Sequence, residues 1–579
     1  MSSWPIWHCL CLVGSVPAYG PTTSPVSMAI STLRVTPSLS FKPSFGRSFG
    51  ALASSKVAGK VPEKIPWLMD PSTDHSQATA KIDNVLFGSR GGINFHGDIS
   101  LGAERIGTLS VVGQLAALKG FLPVAPREVQ PHLERFIKAQ DDAKDSAPNF
   151  TVALECLDGE GELTKLVVLK VPEESSRFNT RARPDQVTKL LAEQGDLCSS
   201  RAAGVIAVAE SEEDVIASGL AVARAAPLYG EKGKAEGRGA VSASLWSKAA
   251  GGVAPQMSEK LGKVAENIRT AAALVDMPPN YINPVTYAWL CEKIADGLRR
   301  SGHDVRLEVI RAEDLRDGGF GGIWNVGKGA GEPGTVLVGK GITFDTGGLS
   351  IKSSDNMRGM KTDMGGAAGL LGAFMSAVQC GGNKGKPLHL VECLAENAVG
   401  PFSYRVDDVI KMYSGLTVEI NNTDAEGRLL LADGVAYAAK HLNPEVVIDM
   451  ATLTGASGLA TGHLHAAIVS NDEGLEQRAV RSGRKTGDLV HPLIFCPELH
   501  KGQFKSEVAD LTNSVKVRTD APVSAAGWFV YENLRAACGD GKIPSYLHVD
   551  MAFPVTWKEG RASGYGVALV ADLLGVFGE

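Results

Sequence analysis

Between Thr417 and Leu442 a strand must turn into a helix, and the turn is full of charge. The segment reads TVEINNTDAEGRLLLADGVAYAAKHL. Thr417–Ile420 is β-branched at three of its four positions and reads as a short strand. From Arg428 to Leu442 the spacing of Leu429, Ala432, Ala436 and Ala439 predicts a helix with one apolar stripe. Asp424 and Glu426 are two residues apart, so in extended chain both carboxylates point the same way. Two such neighbours repel unless a cation lies between them, and hard divalent cations take oxygen ligands. Gly427 would let the chain turn tightly into the helix, and Arg428 adds a permanent planar charge. An acidic helix N-terminus with a salt-bridged Arg428 accounts for the same residues, because the helix dipole favours Asp and Glu there. The segment alone does not choose between these readings.

A second segment, residues 335–369, tips the balance. It reads TVLVGKGITFDTGGLSIKSSDNMRGMKTDMGGAAG. A buried-type strand over Thr335–Gly339 runs into Lys340, Asp345, Lys352 and Asp363. The glycine pairs Gly347-Gly348 and Gly365-Gly366 would let backbone pass close to a ligand. The carboxylates Asp345, Asp363, Asp424 and Glu426 together balance two divalent ions. Such a pair, about 3.5–4 Å apart, makes a bridging water nucleophilic near neutral pH. Ordinary structure offers an alternative for each cation: an ion pair with Asp345 for Lys340, a surface side chain for Lys352.

The two segments resemble the leucine aminopeptidase family of two-zinc, hexameric peptidases. The resemblance is carried by NTDAEGRL at 422–429, VGKGITFDTGG and MKTDMGG, and it extends from about Ala272 to the C-terminus. GFGGI, CLAENAVGP, GRKTGDLVHPL and CPELH are similar to a less characterised animal branch of that family, the probable aminopeptidase-like proteins. The resemblance implies Lys340, Asp345, Asp363, Asp424 and Glu426 as metal ligands and Lys352 and Arg428 as catalytic cations. As a ligand, Lys340 must lose its proton, which burial beside another cation can achieve. Lys352, kept charged, would polarise the scissile carbonyl. Arg428 would hold a bicarbonate ion acting as general base. Met360, Thr452, Leu453 and Gly455 would line the first side-chain pocket, apolar enough for leucine or methionine; each is equally ordinary core. The resemblance also implies a homohexamer acting on peptide substrates. Oxygen-rich ligation suits zinc, manganese or magnesium.

The chain has 579 residues, 44% hydrophobic and 21% charged, room for two or three domains. A net charge of −6 argues against generic nucleic-acid binding. No run of about eighteen apolar residues is present, so no membrane partner is expected. Nine scattered cysteines, the close pair Cys9 and Cys11 lying near the start, read as free thiols in a reduced compartment. The first acidic residue is Glu63; the preceding stretch is basic and rich in Ser and Thr, as organelle transit peptides are. Met28–Gly50 is similar to a plastid presequence, and Trp4–Gly20 to a signal peptide without a basic start. We therefore assign 1–75 to a targeting and linker segment without regular structure and expect the plastid stroma, with cytoplasm or mitochondrion as alternatives; a rarely used upstream start codon explains the segment equally well.

Residues 76–252 read as a smaller α/β domain. Strands fit Thr108–Val112, Thr151–Leu157, Lys165–Val171, Gly204–Ala209 and Val241–Leu245, and helices fit 126–139, 184–194 and Glu212–Pro227, the last capped by Ser211. No cluster of chemistry-bearing residues stands out there, which points to packing or assembly. Residues 253–579 alternate strands (305–310, 322–326, 335–339, 388–394, 417–420, 445–450, 466–470, 547–551) with helices (256–276, 284–300, 364–379, 428–442, 474–484, 563–577). That alternation predicts a mostly parallel sheet covered on both faces, with ligands at the carboxyl ends of its strands.

Gly322-x4-Gly327-Lys328 imitates a phosphate loop, but Gly329 stands where a Ser or Thr is needed. Ser482-x-x-Lys485 and Lys485-Thr486-Gly487 share one lysine and cannot be two walls of one site. The expected function is removal of N-terminal residues from peptides. A Cys-Gly dipeptidase is a narrower version. A non-catalytic assembly or nucleic-acid-binding protein is the competing class, disfavoured because every ligand position is filled.

Overall fold

The computed structural model describes residues 7–13 and 75–578, apart from 89–90, 100–105, 144–148, 157–162, 195–196, 198–201, 231–238, 312–332, 401–402, 518 and 558–559. The strand expected at 322–326 and the phosphate-loop imitation lie outside the described residues. Trp7–Val13 forms a strand, β1, parallel to and between two strands of the large sheet. This corrects the assignment of all of 1–75 to irregular leader. A seven-residue apolar run satisfies its backbone by pairing along both edges, which an unstructured leader could not do.

The smaller sheet comprises β2 (Ile93–His96), β3 (Ile106–Gln114), β4 (Phe150–Cys156), β5 (Leu163–Val171), β6 (Ala202–Ala209) and β7 (Val241–Ser247), in the order β2-β7-β6-β3-β5-β4. Only β4 runs antiparallel to its neighbour. Helix α1 (Glu212–Ala225) begins at Ser211, whose hydroxyl accepts the Asp214 amide, as its sequence predicts. The helix expected at 126–139 lies at Gln130–Ala143, shifted toward the C-terminus.

The larger unit opens with α2 (Pro255–Asp276) and α3 (Pro284–Arg300), each with Pro in its first turn; Asn283 and Thr286 cap α3 reciprocally. Its strands are β8 (Val305–Arg311), β9 (Gly334–Asp345), β10 (Leu388–Asn397), β13 (Pro444–Ala451), β14 (Ala466–Ser470), β15 (Val490–Pro492) and β17 (Ser545–Asp550), joined by β1 in the order β15-β14-β17-β13-β9-β10-β1-β8. All pairs are parallel except β14 with β17. Three more strands, β11 (Val409–Lys411), β12 (Thr417–Glu419) and β16 (Leu511–Thr512), form a separate small sheet. The strand expected at 417–420 therefore exists but is not part of the main sheet.

Successive residues of β9 and β10 enter different cores. Leu337, Leu388, Leu390 and Leu394 pack with α4 (Gly365–Cys380) on one face; Val336, Val338, Val391 and Cys393 pack with α5 (Gly427–His441) and α7 (Pro522–Cys538) on the other. Helix α6 (Glu473–Thr486) and a short α8 (Val567–Leu573) complete the cover. The helix expected at 563–577 is confined to α8, because Gly564 and Gly566 before it have φ of +64° and +91° and Gly575 after it has +81°. The first of the two cores runs on into the smaller domain through Leu220, Val205 and Leu245. A buried ion pair between Arg224 of α1 and Asp488, 2.6 Å apart, joins the units. Among the described residues no helix is long and apolar enough to cross a membrane.

Candidate metal centre

Lys340 lies within β9, which runs on to Asp345 instead of stopping at Gly339. Residues five apart in a regular strand face opposite sides of a sheet. Here the register with β10 shifts: Ile342 pairs with Ala395, but Asp345 pairs with Asn397. One extra residue in β9 restores the parity and brings Asp345 to the Lys340 face, beneath α5. After β9, Gly347 and Gly348 adopt φ of +84° and +63° and fold the chain back, so that the Lys352 amide reaches the Thr346 carbonyl at 3.0 Å. Asp363 sits in the tight turn Met360–Met364 that leads into α4.

Asp345, Asp363 and Glu426 are buried and offer carboxylate oxygens within 4.8 Å of one another. The Lys340 ammonium lies among them, 2.7 Å from Asp363 Oδ1, 3.2 Å from Glu426 Oε1 and 3.0 Å from the Thr452 carbonyl. Lys352 Nζ lies 2.9 Å from Asp345 Oδ2 and 2.5 Å from Asp424 Oδ1. Asp424 and Glu426 thus do not point to one spot as extended geometry implies. Glu426 has helical backbone at the start of α5 and faces Lys340, whereas Asp424 faces Lys352.

The glycines serve purposes other than those expected. Gly427 needs no special backbone conformation; a Cβ there would lie 2.5 Å from Lys340 Cε and 2.7 Å from its Nζ. Its value is close approach, which lets α5 ride over the lysine. Gly366 has the same role against the β13 backbone, where a Cβ would meet the Met450 carbonyl at 2.1 Å. At Gly365 a Cβ would meet Val555 Cγ2 at 2.4 Å.

Electrostatics follow from burial. Burial pushes the Asp363 and Glu426 carboxyls up, reinforced by neighbouring carboxylates and opposed by Lys340. Burial alone would lower Lys340, but Asp363, Glu426 and Asp345 outweigh it and hold the ammonium charged. Lys352 is raised in the same way by Asp345 and Asp424. Arg428 is buried in the first turn of α5, and its charge opposes the Asp449-driven rise of the buried His548 on β17.

Three more side chains hold the site, and none was singled out in the sequence. Asn397, at the end of β10, donates from Nδ2 to Asp345 Oδ1 at 2.8 Å, to the Thr423 carbonyl at 3.1 Å and to Glu426 Oε2 at 3.3 Å. Asn513, just after β16, accepts the amides of Asn421 and Asn422 and donates to the carbonyls of Asn422 and Ala425. Asp550, at the end of β17, accepts the Leu453 and Thr454 amides and the Thr454 hydroxyl. Asn397 lies inside the CLAENAVGP motif; nothing in the local pattern marks Asn513 or Asp550. Of the expected pocket residues, Thr452 is buried and donates its hydroxyl to Asp363 at 2.7 Å. Met360 and Leu453 are half-buried and Gly455 is exposed.

The donor set fits a hard cation. It is all carboxylate apart from Lys340, and Asp363 Oδ2 is buried with no hydrogen-bond partner.

The sequence profile of the cytosol aminopeptidase family catalytic domain matches residues 269–571. The chain belongs to the cytosol aminopeptidase family. The profile of the M17 aminopeptidase N-terminal domain 2 matches residues 107–235, so the likeness begins well before Ala272 and includes the smaller domain. A Homo sapiens relative named "Probable aminopeptidase NPEPL1" is 42% identical over 433 residues, 71% of this chain and 80% of its own. Leucine aminopeptidase 1 of Caenorhabditis elegans is 43% identical over 333 residues, 55% of this chain and 65% of its own. Leucyl aminopeptidase from Leishmania major, solved in complex with actinonin, superposes with a TM-score of 0.75 at 32% identity, covering 87% of this chain and 98% of that one. The Trypanosoma brucei enzyme in complex with bestatin gives 0.73 at 34%, covering 86% and 98%. Membership in this family makes the protein an aminopeptidase-type hydrolase.

Proposed function

We propose that the protein is a metal-dependent aminopeptidase that releases leucine- or methionine-like residues from the N-terminus of peptides. The convergence of Asp345, Asp363 and Glu426 on one point, with Lys352 and Asp424 beside it, carries this reading. Asp345, Asp363, Asp424 and Glu426, with Lys340 once a bound cation displaces the proton that the carboxylates otherwise hold on it, would hold two divalent ions, zinc or manganese, with magnesium a further candidate. When bound, the ions supply Lewis acidity and a water of lowered pKa. Asp363 would help recognise a substrate amine, and only a chain terminus offers one. Lys352 is held charged and its side chain is 15% exposed, enough to polarise an incoming carbonyl. Arg428 is the candidate holder of an anion such as bicarbonate through its planar fork. Met360 and Leu453 would supply apolar walls for the first side chain, with Thr452 and Gly455 at its base and rim.

Hydrolysis of leucine amide before and after chelation tests this. Activity untouched by chelator, or by Asp424→Ala, would reject it. A panel of aminoacyl amides with Cys-Gly included separates general aminopeptidase work from thiol-dipeptide turnover. We further propose a homohexamer, checked by sedimentation, and plastid import directed by residues 1–75, checked by fusing them to a fluorescent protein. N-terminal sequencing of the imported protein tells whether β1 stays with the sheet.

A further inference from the structure

Asn397 is fully buried and places one neutral amide between two carboxylates that come from different elements, Asp345 at the end of β9 and Glu426 at the start of α5. Each carboxylate gives the amide one oxygen and keeps the other for a cation. Asp345 Oδ1 accepts from Asn397 and from the Gly347 amide, while its Oδ2 faces Lys352. Glu426 Oε2 accepts from Asn397, while its Oε1 faces Lys340. The amide has only one productive orientation. Turned over, its oxygen would face two carboxylates and the Thr423 carbonyl, all acceptors. As it stands, Oδ1 is buried with no hydrogen-bond partner and is directed at Gly348, where a Cβ would come within 3.0 Å of it. A buried amide oxygen left unsatisfied costs about 1–3 kcal/mol, so the orientation is held by the donor side alone.

We infer that Asn397 is a positioning residue that sets how Asp345 and Glu426 present themselves to a metal ion, allotting one oxygen of each to the ion and holding the other. This rests on the proposed metal-dependent function. An aspartate would put a third like charge against the two carboxylates. A lysine or arginine would compete with the ion. A neutral donor orients both carboxylates without doing either.

The test titrates metal-free, full-length protein with Mn2+ by calorimetry and records the visible absorption of the Co2+-loaded form. Four proteins are compared: wild type, Asn397→Ala, Asn397→Ser and Tyr404→Phe. Serine keeps a polar side chain too short to reach both carboxylates, and guards against a fold failure in the alanine variant. Tyr404→Phe removes only the tyrosine hydroxyl, which shares the Thr423 carbonyl with Asn397 at 2.6 Å, and so separates bracing of the loop backbone from orientation of the carboxylates. Both Asn397 variants should weaken Mn2+ binding about ten- to hundredfold and shift the Co2+ bands, as loss of a group orienting metal ligands typically does. Tyr404→Phe should stay within about threefold of wild type, because its hydroxyl is donated to the Thr423 carbonyl, the loop backbone. Wild-type affinity and spectrum in the Asn397 variants would overturn the inference, and so would equal weakening by Tyr404→Phe. Failure of the wild type itself to take up Mn2+ or Co2+ would instead overturn the proposed function and, with it, the role assigned to Asn397.

Discussion

Replacing Asn513 with alanine should loosen the loop that carries Asp424 and Glu426. Asn513 is fully buried, and its side chain makes four hydrogen bonds to that loop. Two are accepted, from the amides of Asn421 at 2.9 Å and Asn422 at 3.2 Å. Two are donated, to the carbonyls of Asn422 at 2.7 Å and Ala425 at 3.3 Å. A net value of about 1 kcal/mol for each bond, with the longest one weak, gives a loss of about 3 kcal/mol. A water entering the polar gap would recover part of that, so we expect destabilisation of about 2–4 kcal/mol. Urea unfolding at pH 7 reads it as a lowered midpoint with an unchanged slope. The same change should cost about a hundredfold in turnover of leucine amide, since a shift of about 1 Å in a positioning element has that effect. Asn513→Asp sharpens the test. It keeps both accepted bonds but turns both donated ones into carboxylate–carbonyl repulsion, and should be at least as damaging as alanine. Full activity in either variant, with a stability change under about 0.5 kcal/mol, the range of ordinary surface substitutions, would refute the bracing role of Asn513.

Three further outcomes are expected. Burial pushes the Asp433 carboxyl of α5 up to about 7, against the Tyr413 amide and Lys440, which pull it down. A raised acid binds its proton more tightly in the folded state, so its contribution to stability falls as pH rises from about 4 to 7. Asp433→Asn keeps an acceptor for the Tyr413 amide and should gain stability over wild type through that window, up to on the order of 4 kcal/mol above pH 7; equal melting curves at pH 5 and pH 8 would contradict it. Gly427→Ala places a methyl 2.5 Å from Lys340 Cε. It should abolish metal uptake, measured by elemental analysis, even though alanine favours the helix by up to about 1 kcal/mol. Arg224→Ala strips the partner from buried Asp488 and should destabilise the protein by about 3 kcal/mol in urea, at the low end for a broken buried pair, because Asp488 still accepts the Gly566 and Leu569 amides.

Residue pattern made much of the fold readable. Helix α2 was legible because apolar spacing marks its buried face, and α3 because Pro284 fixes its first turn. Strands β9, β10 and β13 were found because a strand covered on both sides must be apolar throughout. The site's charged residues were legible because their unusual density in two segments, together with the family likeness, singled them out. Helix α7 was not foreseen, although its middle residues, Trp528 to Val530, are buried; a helix covered nearly all round shows no polar face to set its period. The small sheet was missed because β11 and β16 are only three and two residues long. Asn513 and Asp550 act across separations of about ninety residues or more, on backbone atoms that no local pattern names. The relative aim of Asp424 and Glu426 was misread because Glu426 has already entered the helix, where the two-residue period of a strand no longer applies.

The irregular step in β9 makes chain length there as decisive as composition. Inserting a single residue between Ile342 and Asp345, with the step unchanged, would leave every acidic side chain in the sequence, yet would swing the carboxylate through the sheet to the side covered by α4. Family members that carry one residue more in this interval should therefore not be assumed to share the chemistry.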